Sequence, residues 1–103
     1  MKTEVKGGYL LVYDVAELNV VNFAEFGDLT ARMMPKFPIK VDIDLRQTRF
    51  VDSSGLGALF MLYKRARGAN EEVELRILNS RPSIQQLFEL TQLHQLFEIS
   101  KSS

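Results

Sequence analysis

The 103-residue chain has no cysteine, no tryptophan and one histidine, His94. Without thiols it can form neither disulfides nor thiolate metal sites. With a single imidazole, a metal would depend on carboxylates and carbonyls. No metal and no other cofactor is expected. Charge of one sign is also missing: 13 Lys and Arg balance 13 Asp and Glu. A nucleic-acid partner calls for a basic excess that neutralises phosphates, so none is expected. Long hydrophobic runs are absent too. The longest, around Gly55 to Tyr63, is far below the ~20 residues that cross a bilayer. The opening Met-Lys-Thr-Glu-Val-Lys-Gly-Gly holds no signal-peptide core. The expectation is a cytoplasmic protein with no membrane association.

What is present is ordinary for a globular protein: 46% hydrophobic and 25% charged residues. At this length folding buries roughly 65% of the unfolded surface, enough for one core without staples. One domain over residues 1–103 is expected, as a monomer or weak dimer, with a flexible tail at about 100–103.

Thr3 to Lys6 and Tyr9 to Tyr13 flank Gly7-Gly8. This pattern predicts a hairpin whose two glycines supply positive φ angles. Val20 to Met34 predicts a helix, with Val21, Phe23, Phe26, Leu29 and Met33 near helical spacing. Pro35 and Pro38 bracket its exit. Ile39 to Leu45 alternates as a strand with Lys40, Asp42 and Asp44 on a wet face or charged rim. A helix follows over about Ser54 to Arg67, then a strand over Val73 to Leu78. Pro82 opens another helix carrying Ile84, Leu87 and Phe88. Leu93 to Ile99 closes the chain as a short strand or last helical turn. Alternating helices and strands after a hairpin imply an α/β fold. The expected form is a mixed sheet of four to five strands with helices packed mainly on one face.

One segment carries chemistry. Arg49 to Gly57 reads Arg-Phe-Val-Asp-Ser-Ser-Gly-Leu-Gly, where a strand region gives way to a helix. Asp52, Ser53 and Ser54 are all good helix N-caps. Gly55 and Gly57 are poor choices for a first turn unless something approaches the backbone closely. In the plainer reading this is a capped helix packed tightly on the sheet. In the other, a hydroxyl here is a phosphorylation target, because a helix N-terminus tolerates a phosphate.

Val-Asp-Ser-Ser-Gly-Leu-Gly-Ala-Leu, residues 51–59, strongly resembles the signature of STAS domains, particularly the anti-sigma-factor antagonists. The resemblance runs in register through the hairpin, Ala16-Glu17-Leu18-Asn19, Glu72 to Leu78 and Arg81 to Phe97. It implies a STAS fold and phosphorylation of the first serine after the aspartate, Ser53, with Ser54 the second choice. It also implies two partners: a serine kinase with anti-sigma activity and a PP2C-type phosphatase. The kinase would bring ATP and magnesium. The family's Gly-Glu-Leu-Asp before the first helix is Ala16-Glu17-Leu18-Asn19 here. Asn19 can hydrogen-bond but lacks the charge of the family's aspartate near the phosphorylation loop.

On the motif helix, Leu56, Leu59, Phe60 and Tyr63 fall on one side as a core stripe. Ala58, Met61 and Leu62 fall on the other half. They are either edge-of-core and stray surface residues or an apolar docking strip beside Ser53. With the resemblance, the strip is preferred. The expected partner-binding set is Asp52, Ser53, Ser54, Gly55, Leu56, Ala58, Met61, Leu62 and Asn19. Lys64, Arg65 and Arg67 suit the helix C-terminus electrostatically.

Catalysis is not expected. A serine nucleophile, His94 and a carboxylate exist, but Ser53 lacks a Gly-x-Ser-x-Gly elbow. Gly55-Leu56-Gly57 lacks the third glycine of a dinucleotide fingerprint, and no phosphate-binding Gly-Lys loop is present. The reading is a phosphorylation-switched protein-binding regulator. The alternatives are a constitutive STAS-type accessory subunit of a transporter ATPase, or the same switch feeding a non-sigma regulatory output.

Overall fold

The computed structural model describes residues 1–101. The Gly7-Gly8 turn joins β1 (Lys2–Lys6) to β2 (Tyr9–Tyr13) as an antiparallel hairpin. Gly7 has φ of +60°, which favours glycine. Gly8 does not share that conformation. A side chain there would meet the Ile39 side chain instead.

The main sheet runs β1-β2-β4-β6-β7, with β4 (Lys40–Asp44), β6 (Glu74–Leu78) and β7 (Glu98–Ser100) all parallel to β2. Crossovers carry α1 (Phe23–Met33), α2 (Ser53–Ala69) and α3 (Pro82–Leu90). This is the expected mixed α/β sheet. Ser100 lies in β7, so the strand claims the first residue assigned to a flexible tail. Lys101 follows it outside any element and is exposed, and Ser102 and Ser103 lie outside the described residues.

Phe26 of α1, Leu59, Leu62 and Ala66 of α2, and Ile84 and Phe88 of α3 are all buried. They join one core with Leu10, Val12, Val41, Ile43, Leu75 and Ile77, the residues of β2, β4 and β6 that share one sheet face. The helices therefore cover that face, as period-2 strands and period-3.6 helices require. The opposite face is not simply wet. Asp42, assigned to a wet face or charged rim, is only 2% exposed. Arg76 on β6 donates two hydrogen bonds to it (2.8 and 2.7 Å), and the Tyr9 hydroxyl donates a third at 3.0 Å. A buried carboxylate needs such partners.

Two strands have too few residues to show in the alternation: β3 (Glu17–Leu18) and β5 (Phe50–Val51). They pair in parallel as a separate two-stranded sheet. Buried Thr48 fixes this pairing by donating its hydroxyl to the Val15 carbonyl, and the Arg49 N–H bonds the Ala16 carbonyl at 2.9 Å. The pair brings the chain before α1 against the start of α2.

Candidate functional site

The helix α2 begins at Ser53, with Asp52 as its N-cap. Asp52 Oδ1 accepts the Gly55 N–H at 3.0 Å, satisfying one of the unpaired first-turn donors. Its other oxygen, Oδ2, accepts the Val20 N–H at 3.0 Å. One carboxylate thus ties two segments together, 32 residues apart. The Gly55 N–H is the main cause that holds the Asp52 carboxyl below its usual 3.8; desolvation opposes it, and the Val20 N–H adds to it. Asp52 is therefore ionised at neutral pH.

Ser53, the first helical residue, is exposed, and Ser54 beside it is half-buried. Any charge added at Ser53 would stand next to the Asp52 carboxylate and the positive end of a 17-residue helix.

The loop before α1 closes on itself. Asn19 Oδ1 accepts the Val21 N–H at 3.0 Å, and the Asn19 carbonyl accepts the Phe23 N–H at 2.8 Å. Asn22 Oδ1 accepts the Asn19 N–H at 2.9 Å. This turn delays the helix from Val20 to Phe23 and turns Val21 outward, 83% exposed. Asn19 is itself buried at 8% exposure. Its side chain staples the loop and does not present a free contact surface.

The strip of Ala58, Met61 and Leu62 divides. Met61 is exposed, Ala58 is nearly buried and Leu62 is in the core at 1% exposure. Leu62 is corrected from surface to core, because α1 packs along α2 and encloses its side. Phe60, expected in the core, is 44% exposed and stacks on Tyr63. Gly55 is buried under Leu18, and Leu56 is half-buried against the core.

Exposed Phe60 and Met61 instead face exposed Phe23 across a furrow of about 560 Å³ between α1 and α2, which begins at Ser54. Val20 and Val21 add exposed apolar surface at the loop before α1. The α2 wheel alone could not reveal these partners on another helix. Their only sequence signal was an unusually apolar loop before α1. Among the described residues no group of acids and histidine could hold a metal. His94 is exposed on the short turn after α3, with Nδ1 3.4 Å from the Phe88 carbonyl. No helix is long and apolar enough to cross a membrane among the described residues.

The STAS domain model matches residues 1–103. The chain belongs to the STAS domain family. A STAS-domain containing protein of Pseudomonas aeruginosa is 35% identical over 63 residues, a match spanning 61% of this chain and 60% of that protein's length. Among solved structures, an anti-sigma factor antagonist from Mycobacterium paratuberculosis superposes with a TM-score of 0.78 and 20% identity. That match covers 96% of this chain and 82% of the other. The Bacillus cell fate determinant SpoIIAA in its phosphorylated form gives 0.68 and 14%, covering 99% and 90%. The STAS fold also matches part of the murine anion transporter Slc26a9, at 0.76 and 17%, over 97% of this chain and 17% of the transporter. At these identities the structural likeness speaks for the fold alone.

Proposed function

We propose that this STAS domain is a phosphorylation-switched protein-binding regulator of the anti-sigma-factor-antagonist type, with Ser53 as the phosphate acceptor. The observation that carries the reading is an exposed serine as the first residue of α2, directly after an ionised N-cap, in the Asp-Ser-Ser-Gly signature. A phosphoryl group brings about −1.5 to −2 charges. Here it would sit beside Asp52 and next to Ser54, where the apolar furrow begins, and a partner docked across both would have to desolvate it. Binding would fail with no change of fold.

In this reading the unphosphorylated protein binds a serine kinase with anti-sigma activity, and a PP2C-type phosphatase restores the binding form. The domain works without catalysis, in the cytoplasm. SpoIIAA, a fold relative solved in phosphorylated form, lends support by analogy. The test is intact-mass and peptide mass spectrometry of the protein from its own cells. Phosphate on Ser53 is expected; phosphate confined to Ser54, or none under any growth condition, overturns the reading.

The fold match to part of an anion transporter supports a second reading, a constitutive subunit of a transport protein. It predicts a permanent stoichiometric complex that Ser53→Asp does not dissociate.

A further inference from the structure

We propose that the furrow between α1 and α2 seats an amphipathic helix of another protein, apolar along its middle, basic on one flank and acidic on the other. The proposal rests on the protein-binding part of the function above and is independent of phosphorylation.

The furrow is built from small residues. Ala24, Gly27 and Ala31 recur on α1 at i, i+3 and i+7, and Gly57 and Ala58 face them from α2. A Cβ added at Gly27 or Gly57 would meet nothing within 4 Å, so the floor is open space. Phe23, Phe60 and Met61 supply apolar walls, all exposed. Leaving this surface in water is unfavourable, and contiguous apolar patches with polar rims mark interaction sites.

The occupant follows from three further features. The walls are helices whose backbone groups bond internally, so there is no free edge to capture an extended strand; a side-chain furrow suits a helix. Phe23 to Ala31 advances about 12 Å along α1, or two turns of a partner helix with anchors at i, i+4 and i+7. A second copy would offer the same hollow, and two hollows do not fill each other.

Charge then sets the flanks. Two of the lining residues are charged: Asp28 on the α1 bank and Arg65 on the α2 bank. Neither forms an ion pair among the described residues. Glu25 extends the acidic bank by one turn, with Arg32 at its far end. Lys64 extends the basic bank, 5.8 Å from the centre of the Phe60 ring. A partner with one basic and one acidic flank satisfies both banks, whereas uniform flanks set like charges together.

The test uses the full chain carrying Ser53→Ala, so that a failed phosphoswitch cannot affect it. Three stapled helical peptides share leucines at i, i+4 and i+7. One has a basic and an acidic flank, one two basic flanks and one two acidic flanks. By calorimetry the mixed peptide is expected to bind about tenfold more tightly than either uniform one. Asp28→Lys makes both charged residues that line the furrow basic and leaves the new lysine and Arg32 to outweigh Glu25 on the α1 bank, so it should transfer the preference to the peptide with two acidic flanks. Gly57→Met, whose Cβ meets nothing within 4 Å and whose side chain would occupy the floor, should abolish binding of all three while leaving the urea midpoint at or above wild type. Equal affinities, unmoved by Asp28→Lys, overturn the proposal, as does no saturable binding by any peptide. Sedimentation showing a dimer that Gly57→Met dissociates would assign the furrow to a second copy and also overturn it.

Discussion

Gly55 on α2 lies against the main chain of Leu18 so closely that a methyl group in place of its hydrogen would overlap the Leu18 carbonyl oxygen. That carbonyl cannot retreat. It accepts the Asp52 N–H at 3.2 Å, and Leu18 pairs with Val51 in the small parallel sheet. Glycine is required at this point of the signature by contact, since Gly55 is an ordinary helical residue. Gly55→Ala is expected to cost about 2–3 kcal/mol, the upper part of the range for forced overpacking, because the overlap is with main chain. Gly57→Ala, two residues on and facing open space, should gain up to about 1 kcal/mol from helix propensity. Urea midpoints moving in opposite directions would check the pair.

At Ser53 the expected effect is on binding alone. Ser53→Asp puts one charge beside Asp52 and should weaken partner binding strongly, whereas Ser53→Ala should bind as wild type. Like unit charges at 4 Å cost roughly 4 kcal/mol at an effective dielectric of 20, close to a thousandfold in affinity. Solvent screening at this exposed position makes that an upper bound. Both variants should unfold at the wild-type midpoint, because the Ser53 side chain is exposed. Equal affinity of the two variants for the partner would count against the switch.

Asp52 gives the site an acid dependence. Its folded carboxyl titrates below 3.8, chiefly because of the Gly55 N–H. A lowered folded value means that the ionised form stabilises the fold above the unfolded pKa. The contribution is lost as pH falls through 3.8 toward the lower folded value. Asp52→Asn removes it, so the variant should show a smaller loss of stability across that acid window. The Val20 amide, released from Oδ2, should exchange with solvent faster in the variant. Hydrogen exchange of Val20 and Gly55 reports both bonds.

The sequence made the long periodic elements legible, because their side chains alternate or recur over several turns: β2, β4, β6, α2 and α3 lie within a few residues of expectation. It also offered Asp52, Ser53 and Ser54 as N-caps of a helix from about Ser54; Asp52 is the cap and the helix starts at Ser53. The rest failed for local reasons. Two-residue strands such as β3 and β5 have no period to detect. The Asn19 turn overrode the apolar pattern of Val20 and Val21. Leu62 and Phe60 exchanged places because a wheel drawn for a helix on a sheet ignores a second helix alongside. The furrow is a property of two helices, so neither stretch of sequence contains it.

The Asp42–Arg76–Tyr9 cluster behind the sheet makes the last prediction, one about stability with no role at the Ser53 site. Asp42 is almost wholly enclosed, while the Arg76 side chain retains 27% exposure. Arg76→Ala leaves a buried carboxylate with a hydroxyl as its remaining side-chain donor, and should cost about 2–3 kcal/mol. That is below the usual range for a broken buried pair, since water can reach the vacated place. Replacing both partners with leucine should restore most of the loss, because no charge is then left without its counterion. Tyr9 reports the same cluster through its own titration. Burial, and then the hydrogen bond to Asp42, push its phenol from 10.0 up to about 12. The raised value means the neutral phenol stabilises the fold below pH 10.0, and this is lost as pH rises through about 12. The absorbance difference between wild type and Tyr9→Phe should place that titration near 12, and Asp42→Leu together with Arg76→Leu should lower it only in part, because the hydrogen bond to Asp42 goes while the burial stays. A Tyr9 phenol that titrates at its ordinary value in the intact protein would show that the hydroxyl is neither enclosed nor bonded to Asp42 in solution.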